Sequence, residues 1–349
     1  MTRQVLVENE PLVPAAALIA GSAIPVSRAA QPPALRVADL TKTFRSGFAR
    51  RRLRGVEGVS FSVGRGEVFA LLGHNGAGKT TTIGCLLDLV RPDRGEITLL
   101  GCDHRDRRAR ARIGYLPERP YFFDYLTGRE LLEFYCDLLD VPRRERRDRV
   151  DGALRRVGMM PDAGRRLGKY SKGMLQRLGL AQALLGEPEL LILDEPMSGL
   201  DPMGRREVRT LLQELKNQGC TIVLSSHIVP DVEQLADAVG ILREGRLVLN
   251  ERLGALADAC AYRVRAAGCL GEAARCGLPP WALSGGGDTA AAQGPADLAA
   301  ADTQQLRELL DACHAAGLPV LAVEPRRTGL EDLFLRTHEH GTVVHGGKA

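Results

Sequence analysis

Residues 73–80 combine glycine, lysine and threonine at the spacing of a loop that binds phosphate. In order, they are Gly73, His74, Asn75, Gly76, Ala77, Gly78, Lys79 and Thr80, with Thr81 next. Glycine lets the backbone take a positive φ or approach oxygen atoms closely, so that successive N–H groups converge on phosphates. Lysine reaches the β- and γ-phosphates, and the Thr80 hydroxyl is a ligand for Mg²⁺. This segment therefore predicts a site for a nucleoside triphosphate and Mg²⁺.

A strand and a helix must position this loop. The apolar run 68–72 predicts a buried parallel strand, and we expect a helix from Lys79 to about Val90. A helix that begins here adds a partial positive charge of roughly half a unit to the phosphate site.

Two acidic residues, Asp194 and Glu195, directly follow the apolar run Leu190 to Leu193. Ligands of open α/β sheets bind at the carboxyl ends of strands, so both side chains are expected there. Asp194 is predicted to hold Mg²⁺, directly or through water. Glu195 is predicted to take a proton from the water that attacks the γ-phosphate.

Further motifs resemble those of the ABC ATPases. Residues 170–177 (YSKGMLQR) resemble the signature sequence of that family, and residues 198–201 (SGLD) resemble its D-loop. His227 follows the predicted strand Thr221 to Leu224 and matches the family's switch histidine. Phe44 matches the aromatic residue that stacks on adenine, although Phe48 is a neighbouring candidate.

The resemblance implies ATP as the nucleotide and a second copy of the chain, or a related subunit, as a partner. In this family two nucleotide domains face head to tail. The signature residues Ser171, Lys172, Gly173 and Met174, with Asp201 of the D-loop, would then face the nucleotide bound by Lys79 of the partner. His227 would orient the γ-phosphate and the attacking water.

Three positions depart from the common family pattern. Lys172 and Met174 stand where glycine and glutamine are usual. Glu118 stands where a glutamine generally contacts Mg²⁺ and the attacking water, so we predict that Glu118 is a catalytic residue and a metal ligand. Its negative charge predicts that closure of the site depends strongly on Mg²⁺.

These departures, with the segments 194–202 and 330–335, look like the ATPase subunits of ABC-2-type exporters. Such subunits are similar in having a small C-terminal domain and in pairing with a separate multi-spanning permease. Aromatic side chains concentrate where that family docks a cytoplasmic helix of the permease, and aromatics are enriched at interfaces. They are Tyr115, Tyr121, Phe122, Phe123, Tyr125, Phe134 and Tyr135. Ordinary core packing is the alternative explanation.

The predicted fold class is α/β: a P-loop ABC-type nucleotide-binding domain with an inserted helical subdomain, plus a small C-terminal α/β accessory domain. We expect a flexible N-terminal extension over residues 1–33 and an ATPase domain over 34–250. The helical subdomain is placed at about 118–185. The accessory domain is placed at 251–349, with a flexible insert at about 284–300.

Composition narrows the class of protein further. The eight cysteines show no metal or redox spacing, so we expect free thiols in a reducing cytosol. The net charge of +4 is small, and no nucleic acid partner is expected.

Three arginine clusters, at 50–54, 105–112 and 143–149, are either solvated surface or a face lying near anionic lipid headgroups. No segment reaches the roughly 20 apolar residues that span a bilayer.

We therefore expect a cytoplasmic ATPase subunit that sits at the inner face of the membrane through its permease. One alternative is a soluble ABC ATPase acting on ribosomes or DNA. The presence of one motif set, and the short interval between Lys79 and Ser171, disfavour that class. Another alternative is a binding module that retains ATP with little turnover, which Glu195 and His227 disfavour.

Overall fold

The computed structural model describes residues 32–46, 51–254, 260–267, 278–283, 296–300, 302–327, 330 and 333–334. The predicted N-terminal extension lies outside these residues, apart from positions 32 and 33.

A six-stranded sheet forms the centre of the fold, with the strand order β10-β9-β3-β8-β7-β6. Its strands are β3 (Val68–Leu72), β6 (Ile113–Leu116), β7 (Leu190–Leu193), β8 (Thr221–Ser226), β9 (Ala238–Arg243) and β10 (Arg246–Arg252). All neighbours pair in parallel except β9 and β10. Strands β3, β7 and β8 are buried along their whole length, as the inner strands of a parallel sheet are. Because their carboxyl ends meet at one edge, this sheet positions the candidate site.

A second sheet is antiparallel, with the order β2-β1-β4-β5. Its strands are β1 (Leu35–Ser46), β2 (Arg51–Val63), β4 (Arg94–Leu99) and β5 (Cys102–Asp103). The apolar segments 35–37 and 59–63 lie outside the central parallel sheet. They belong instead to β1 and β2, which pair antiparallel with Leu35 opposite Val63.

Helices cover the faces of the central sheet. They are α1 (Lys79–Leu86), α2 (Arg107–Arg110), α6 (Pro202–Asn217) and α7 (Val229–Leu235). The predicted extension of α1 to Val90 is wrong. Asp88 takes a left-handed φ of 58°, and the N–H groups of Leu89 and Val90 both donate to the Gly84 carbonyl, which ends the helix early.

A helical region lies between β6 and β7 in the chain. It contains α3 (Gly128–Leu138), α4 (Arg143–Arg156) and α5 (Lys172–Leu184), with 3₁₀ turns at Met160–Asp162 and Leu167–Lys169. Thr127 begins α3 with a capping box that it shares with Glu130. Ser171 caps α5 by accepting a hydrogen bond from the Met174 N–H.

The C-terminal part contains a three-stranded antiparallel sheet of order β12-β11-β13. Its elements are β11 (Cys260–Ala266), a 3₁₀ turn (Pro280–Leu283), β12 (Ala296–Ala300), α8 (Thr303–Ala315) and β13 (Val320–Arg327). The predicted flexible insert 284–300 is wrong at its end, because 296–300 form a strand paired with β11. Residues 284–295 lie outside the described residues, as do residues 331, 332 and 335 of the segment 330–335.

Strand β3 divides the main hydrophobic core. Val68, Ala70 and Leu72 pack into one cluster, whereas Phe69 and Leu71 pack into the other. This alternation follows from the two-residue period of a strand, whose successive side chains point to opposite faces of the sheet. Among the described helices, none has the length and apolar character needed to cross a bilayer.

Candidate functional site

The segment 73–78 turns directly from β3 into α1. Gly73 lies so close to Leu242 that a Cβ at position 73 would be 2.6 Å from the Leu242 carbonyl oxygen. Gly76 and Gly78 take positive φ values of 82° and 110°. Gly78 precedes Lys79 and offers no side-chain cap to α1. The first N–H groups of the helix therefore remain available to an anion, as the sequence predicts.

The Lys79 side chain is buried beneath this loop. Its Nζ donates to the carbonyl oxygens of Gly73 at 2.6 Å and His74 at 3.2 Å. The same Nζ lies 3.1 Å from Glu195 Oε1. Lys79 therefore touches both the loop and the predicted catalytic carboxylate. His74 Nδ1 lies 2.7 Å from the Asn75 carbonyl oxygen, which orders the outer part of the loop.

Asp194 lies at the tip of β7 and is 1% exposed. Its Oδ1 accepts a hydrogen bond from Ser225 Oγ at 2.6 Å. Burial raises the pKa of Asp194, hydrogen bonds from Ser225 and Thr80 oppose that rise, and the charges of Glu195 and Glu118 add to it. A carboxylate that lacks water in this way gains strongly from a nearby cation. Asp194 and Thr80 thus meet, as predicted for a Mg²⁺ site.

Glu195 takes a left-handed φ of 50°, which is costly for a residue with a side chain, on the order of 1–2 kcal/mol. Its N–H donates to Ser225 Oγ at 2.8 Å. Its carboxylate lies between two partners, because Oε1 faces Lys79 and Oε2 is 2.8 Å from His227 Nδ1. Strained backbone of this kind clusters at functional sites. The structure thus brings together Lys79, Glu195 and His227.

Glu118 follows β6, the strand beside β7. Its half-exposed carboxylate lies 3.7 Å from Arg119 Nε, and its charge contributes to the raised pKa of Asp194. Tyr115, three residues earlier on β6, is also near Asp194. Burial, with a smaller effect from the Asp194 charge, raises the pKa of Tyr115 to about 12. This side of the site is therefore acidic, and Glu118 stays a predicted ligand.

Phe44 lies beside the glycine-rich segment, at the edge formed by β1 and β2. A Cβ on Gly55 would be 2.8 Å from Phe44 Cε2 and 3.0 Å from Thr81 Cγ2. The ring is partly exposed, and Lys42 Nζ lies 5.6 Å from its centre. An exposed ring close to Thr81 suits the predicted stacking on a base. Phe48, the neighbouring candidate, lies outside the described residues.

The signature residues open α5 and pack against residues 199–201 of their own chain. Ser171 and Lys172 are exposed. A Cβ on Gly199 would be 2.8 Å from Lys172 Cδ, and one on Gly173 would be 3.3 Å from Leu200 Cδ2. Asp201 caps α6 by accepting from the Gly204 N–H at 2.9 Å. The signature segment and the D-loop segment therefore form one continuous surface.

The residues present fit Mg²⁺ as a cofactor. The described residues contain no cluster of three or more His, Cys, Asp or Glu side chains that would bind a metal by themselves. Mg²⁺ usually binds through one or two carboxylates, water and substrate phosphates, so Asp194 and the Thr80 hydroxyl are an adequate protein contribution. The cation would neutralise the acidic side of the site and screen the phosphates.

Sequence reasoning missed two residues of this site, Ser225 and Gln176. Ser225 joins the Asp194 carboxylate to the Glu195 N–H. Its position at the polar end of β8, two residues before His227, is a signal that could have identified it. Gln176 is buried in α5 and donates to backbone carbonyls at the tip of β7. It stands in the segment that resembles a signature, without any local sign of this contact.

The fold and the site define a nucleotide-hydrolysing domain of the P-loop class. A family model described as ABC transporter matches residues 56–198. An uncharacterized ABC transporter ATP-binding protein of Nostoc sp. strain PCC 7120 is 46% identical over 64% of this chain and 69% of that protein. The chain belongs to the family of ABC transporter ATP-binding proteins, and it is an ATPase.

Other relatives agree with this assignment. The SkfA peptide export ATP-binding protein SkfE of Bacillus subtilis is 35% identical over 68% of this chain and 97% of that protein. A solved ATP-binding subunit of an ABC transporter is 34% identical, with a TM-score of 0.56 over 64% of this chain and 91% of that one. The predicted fold class and the predicted membership of the ABC ATPases are therefore confirmed.

Proposed function

We propose that this chain energises an ABC-2-type membrane exporter by closing head to tail with a second copy around two Mg²⁺·ATP sites. The chain would lie at the cytoplasmic face of the membrane, bound to a separate multi-spanning permease. Similarity to SkfE, whose name specifies peptide export, supports export as the direction of transport.

The chemistry within one chain follows from the contacts of the site. The N–H groups of the loop and Lys79 bind the phosphates of ATP, and Thr80 and Asp194 hold Mg²⁺. Glu195 accepts the proton of the attacking water, while His227, bonded to the same carboxylate, orients it. Mg²⁺, when bound, stabilises the charge that develops on the transferred phosphoryl group.

Closure of two chains would use the beginning of α5. Ser171 is exposed at a helix N-terminus, where N–H groups and the helix dipole favour an anion. We propose that Ser171 and Gly173 contact the γ-phosphate held by Lys79 of the other chain. ATP would then join the two chains, and hydrolysis would release them.

The observation that carries the permease proposal is a cluster of exposed aromatic side chains between β6 and α3. Tyr121 is 88% exposed and Tyr125 is 68% exposed, with Phe123 stacked at an angle against Tyr125. Beside them lies a cavity of about 290 Å³ lined by Tyr115, Pro120, Phe122, Tyr135 and Leu139, among others. Large exposed apolar patches mark interaction sites, and this one suits an amphipathic helix of a permease.

Purification from the native host tests this function. We would trap the Glu195→Gln variant with ATP and identify what co-purifies from the detergent-extracted membrane fraction. A stoichiometric multi-spanning protein is the expected result. Its loss in a Tyr121→Ala, Tyr125→Ala double variant, with Leu89→Ala as an exposed control outside this segment, would identify the docking surface. Recovery with ribosomes or DNA in the soluble fraction would overturn the proposal.

A further inference from the structure

We propose that Gln176 is a positioning residue for ATP hydrolysis, which holds the backbone of Glu195 so that its carboxylate stays directed at the site. The side chain is 2% exposed, although it is polar. Its Nε2 lies 3.4 Å from the Glu195 carbonyl oxygen and 3.3 Å from the Pro196 carbonyl oxygen. One amide nitrogen has two N–H donors, so it can serve both carbonyls.

The backbone of Glu195 needs external support. Its φ of 50° lies in the left-handed region, which residues with a Cβ rarely adopt. Ser225 Oγ fixes the N–H side of the residue, at 2.8 Å. Gln176 acts on the opposite, carbonyl side, together with the Ser198 N–H, which donates to the same carbonyl oxygen at 3.0 Å. A strained backbone conformation persists when several contacts hold it in place, as these three hydrogen bonds do for Glu195.

This backbone conformation decides where the carboxylate lies. Its two oxygens are divided between Lys79 Nζ at 3.1 Å and His227 Nδ1 at 2.8 Å. Relaxation of φ toward ordinary values would rotate the side chain away from both partners. A displacement of about 1 Å in a reacting group can cost up to roughly a hundred-fold in rate. Gln176 therefore affects turnover while touching neither the substrate nor the reacting atoms.

The same side chain connects two functional segments. Gln176 lies in α5, whose first turn begins after Ser171, and it contacts the strand tip that carries Glu195. Close to this contact, Lys172 lies beside Gly199, and Gly173 lies beside Leu200. A rigid helix thus ties the signature segment to Glu195 within one chain, independently of any partner.

The test replaces the amide with an apolar group of similar length, in Gln176→Met. Turnover at saturating ATP is expected to fall about ten-fold to a hundred-fold, with KM and ATP affinity within about two-fold of wild type. Gln213→Met, on α6 and away from the site, is the matched control and should leave kcat unchanged. A Gln176→Met enzyme with wild-type kcat would overturn the proposal.

A shorter amide covers the case in which Gln176→Met fails to fold. Gln176→Asn keeps the polar group but lacks one methylene, so it cannot reach both carbonyls. The same loss of kcat, with a cooperative thermal unfolding transition, is expected. A rise in KM with an unchanged kcat would show instead that the residue supports the fold of the ATP site in general. That result would contradict a role in positioning Glu195.

A double-mutant cycle distinguishes action through Glu195 from a separate effect. In single-turnover assays, adding Gln176→Met to Glu195→Gln should change the residual rate by less than about two-fold, because the positioned carboxylate is already absent. If the two losses multiply, Gln176 acts elsewhere and the proposal fails. The assays need neither a permease nor a membrane, so they stand apart from the test of the exporter function.

Discussion

Lys79 Nζ lies 3.1 Å from Glu195 Oε1, so the lysine that is predicted to bind phosphate and the predicted general base form an ion pair. Both side chains are buried, and Lys79 also donates to the carbonyl oxygens of Gly73 and His74. Binding of ATP would therefore exchange a carboxylate partner of Lys79 for phosphate oxygens. The exchange frees one Glu195 oxygen for the attacking water, which links the binding of the substrate to activation of the base.

This pair leads to a prediction for Glu195→Gln. The variant should lose turnover by about 10²- to 10⁴-fold, which is what general-base assistance is worth. Its affinity for ATP should equal or exceed that of wild type, because the competing carboxylate is gone. Turnover is measured by phosphate release and affinity by titration with a fluorescent nucleotide, with Glu214→Gln as the exposed control. Affinity ten-fold weaker than wild type would contradict the exchange.

Lys79→Ala should mainly weaken the binding of ATP, whereas Glu195→Gln should mainly slow turnover. Hydrogen bonds to charged groups contribute about 1.5–3 kcal/mol, so ATP affinity should fall by at least about ten-fold. If Lys79→Ala and Glu195→Gln behaved alike at saturating ATP, the separate roles of the two residues would be wrong.

Glu118→Gln addresses the acidic side of the site. The Glu118 charge is one of those that raise the pKa of Asp194, after burial and alongside Glu195. Removing it should make the ATPase less dependent on the concentration of Mg²⁺, since the cation has less negative charge to screen. The measurement is ATPase rate against Mg²⁺ concentration, compared with Glu96→Gln at an exposed position of β4. An unchanged Mg²⁺ profile in Glu118→Gln would exclude the screening role.

The glycines of the phosphate loop should differ in their tolerance of alanine. A Cβ at position 73 would be 2.6 Å from a backbone oxygen of Leu242, so Gly73→Ala must displace the loop. Gly76 has a φ of 82° but nothing within 4 Å of its Cβ position, so Gly76→Ala incurs only a conformational cost of about 1 kcal/mol.

ATP titration and thermal unfolding of both variants check this. Gly73→Ala is expected to lose most ATP binding and to unfold at a lower temperature than Gly76→Ala. Equal losses in the two variants would show that backbone freedom, and not close approach to Leu242, determines the need for glycine at position 73.

Local patterns predicted the elements that carry the phosphate chemistry. The buried run before Gly73 and the acidic pair after Leu193 indicate strand tips without any knowledge of tertiary structure. Strands β4 and β10 were missed because they alternate or carry charge. Arg94–Leu99 begins with three exposed residues, and Arg246–Arg252 is an edge strand with exposed arginines at both ends. An apolar run indicates a strand that is buried on both faces. These two strands are not buried on both faces, so they lack such a run.

Contacts between elements were beyond the reach of the sequence. Gln176 meets Glu195 across 19 residues of chain, and Ser225 meets Asp194 across 31. Helical periodicity identifies the buried face of α5, but it does not say which carbonyl a buried amide on that face will contact. The predicted chemistry of Asp194 and Glu195 was therefore local, whereas the groups that orient them become visible only in the packed structure.

The N-terminus of α3 gives a prediction that concerns pH. Thr127 Oγ1 accepts from the Glu130 N–H at 3.2 Å, and Glu130 Oε2 accepts from the Thr127 N–H at 2.8 Å. The hydrogen bond from the Thr127 N–H to the Glu130 carboxylate, with a smaller contribution from a hydrogen bond of the Thr127 side chain, holds the pKa of Glu130 below its usual value of 4.5. A depressed pKa means that folding favours the charged form. The stabilising effect is therefore present above pH 4.5 and is lost as the pH falls through the folded-state pKa.

Urea unfolding of wild type and Glu130→Gln at several pH values tests this expectation. Wild type should be the more stable protein at neutral pH, and the gap in free energy of unfolding should shrink as the pH falls below 4.5. Glu133→Gln, exposed on the same helix and outside the capping box, is the matched control and should show no such gap. A gap between wild type and Glu130→Gln that stays constant with pH would mean that Glu130 stabilises α3 through a contact other than its charged hydrogen bond to Thr127.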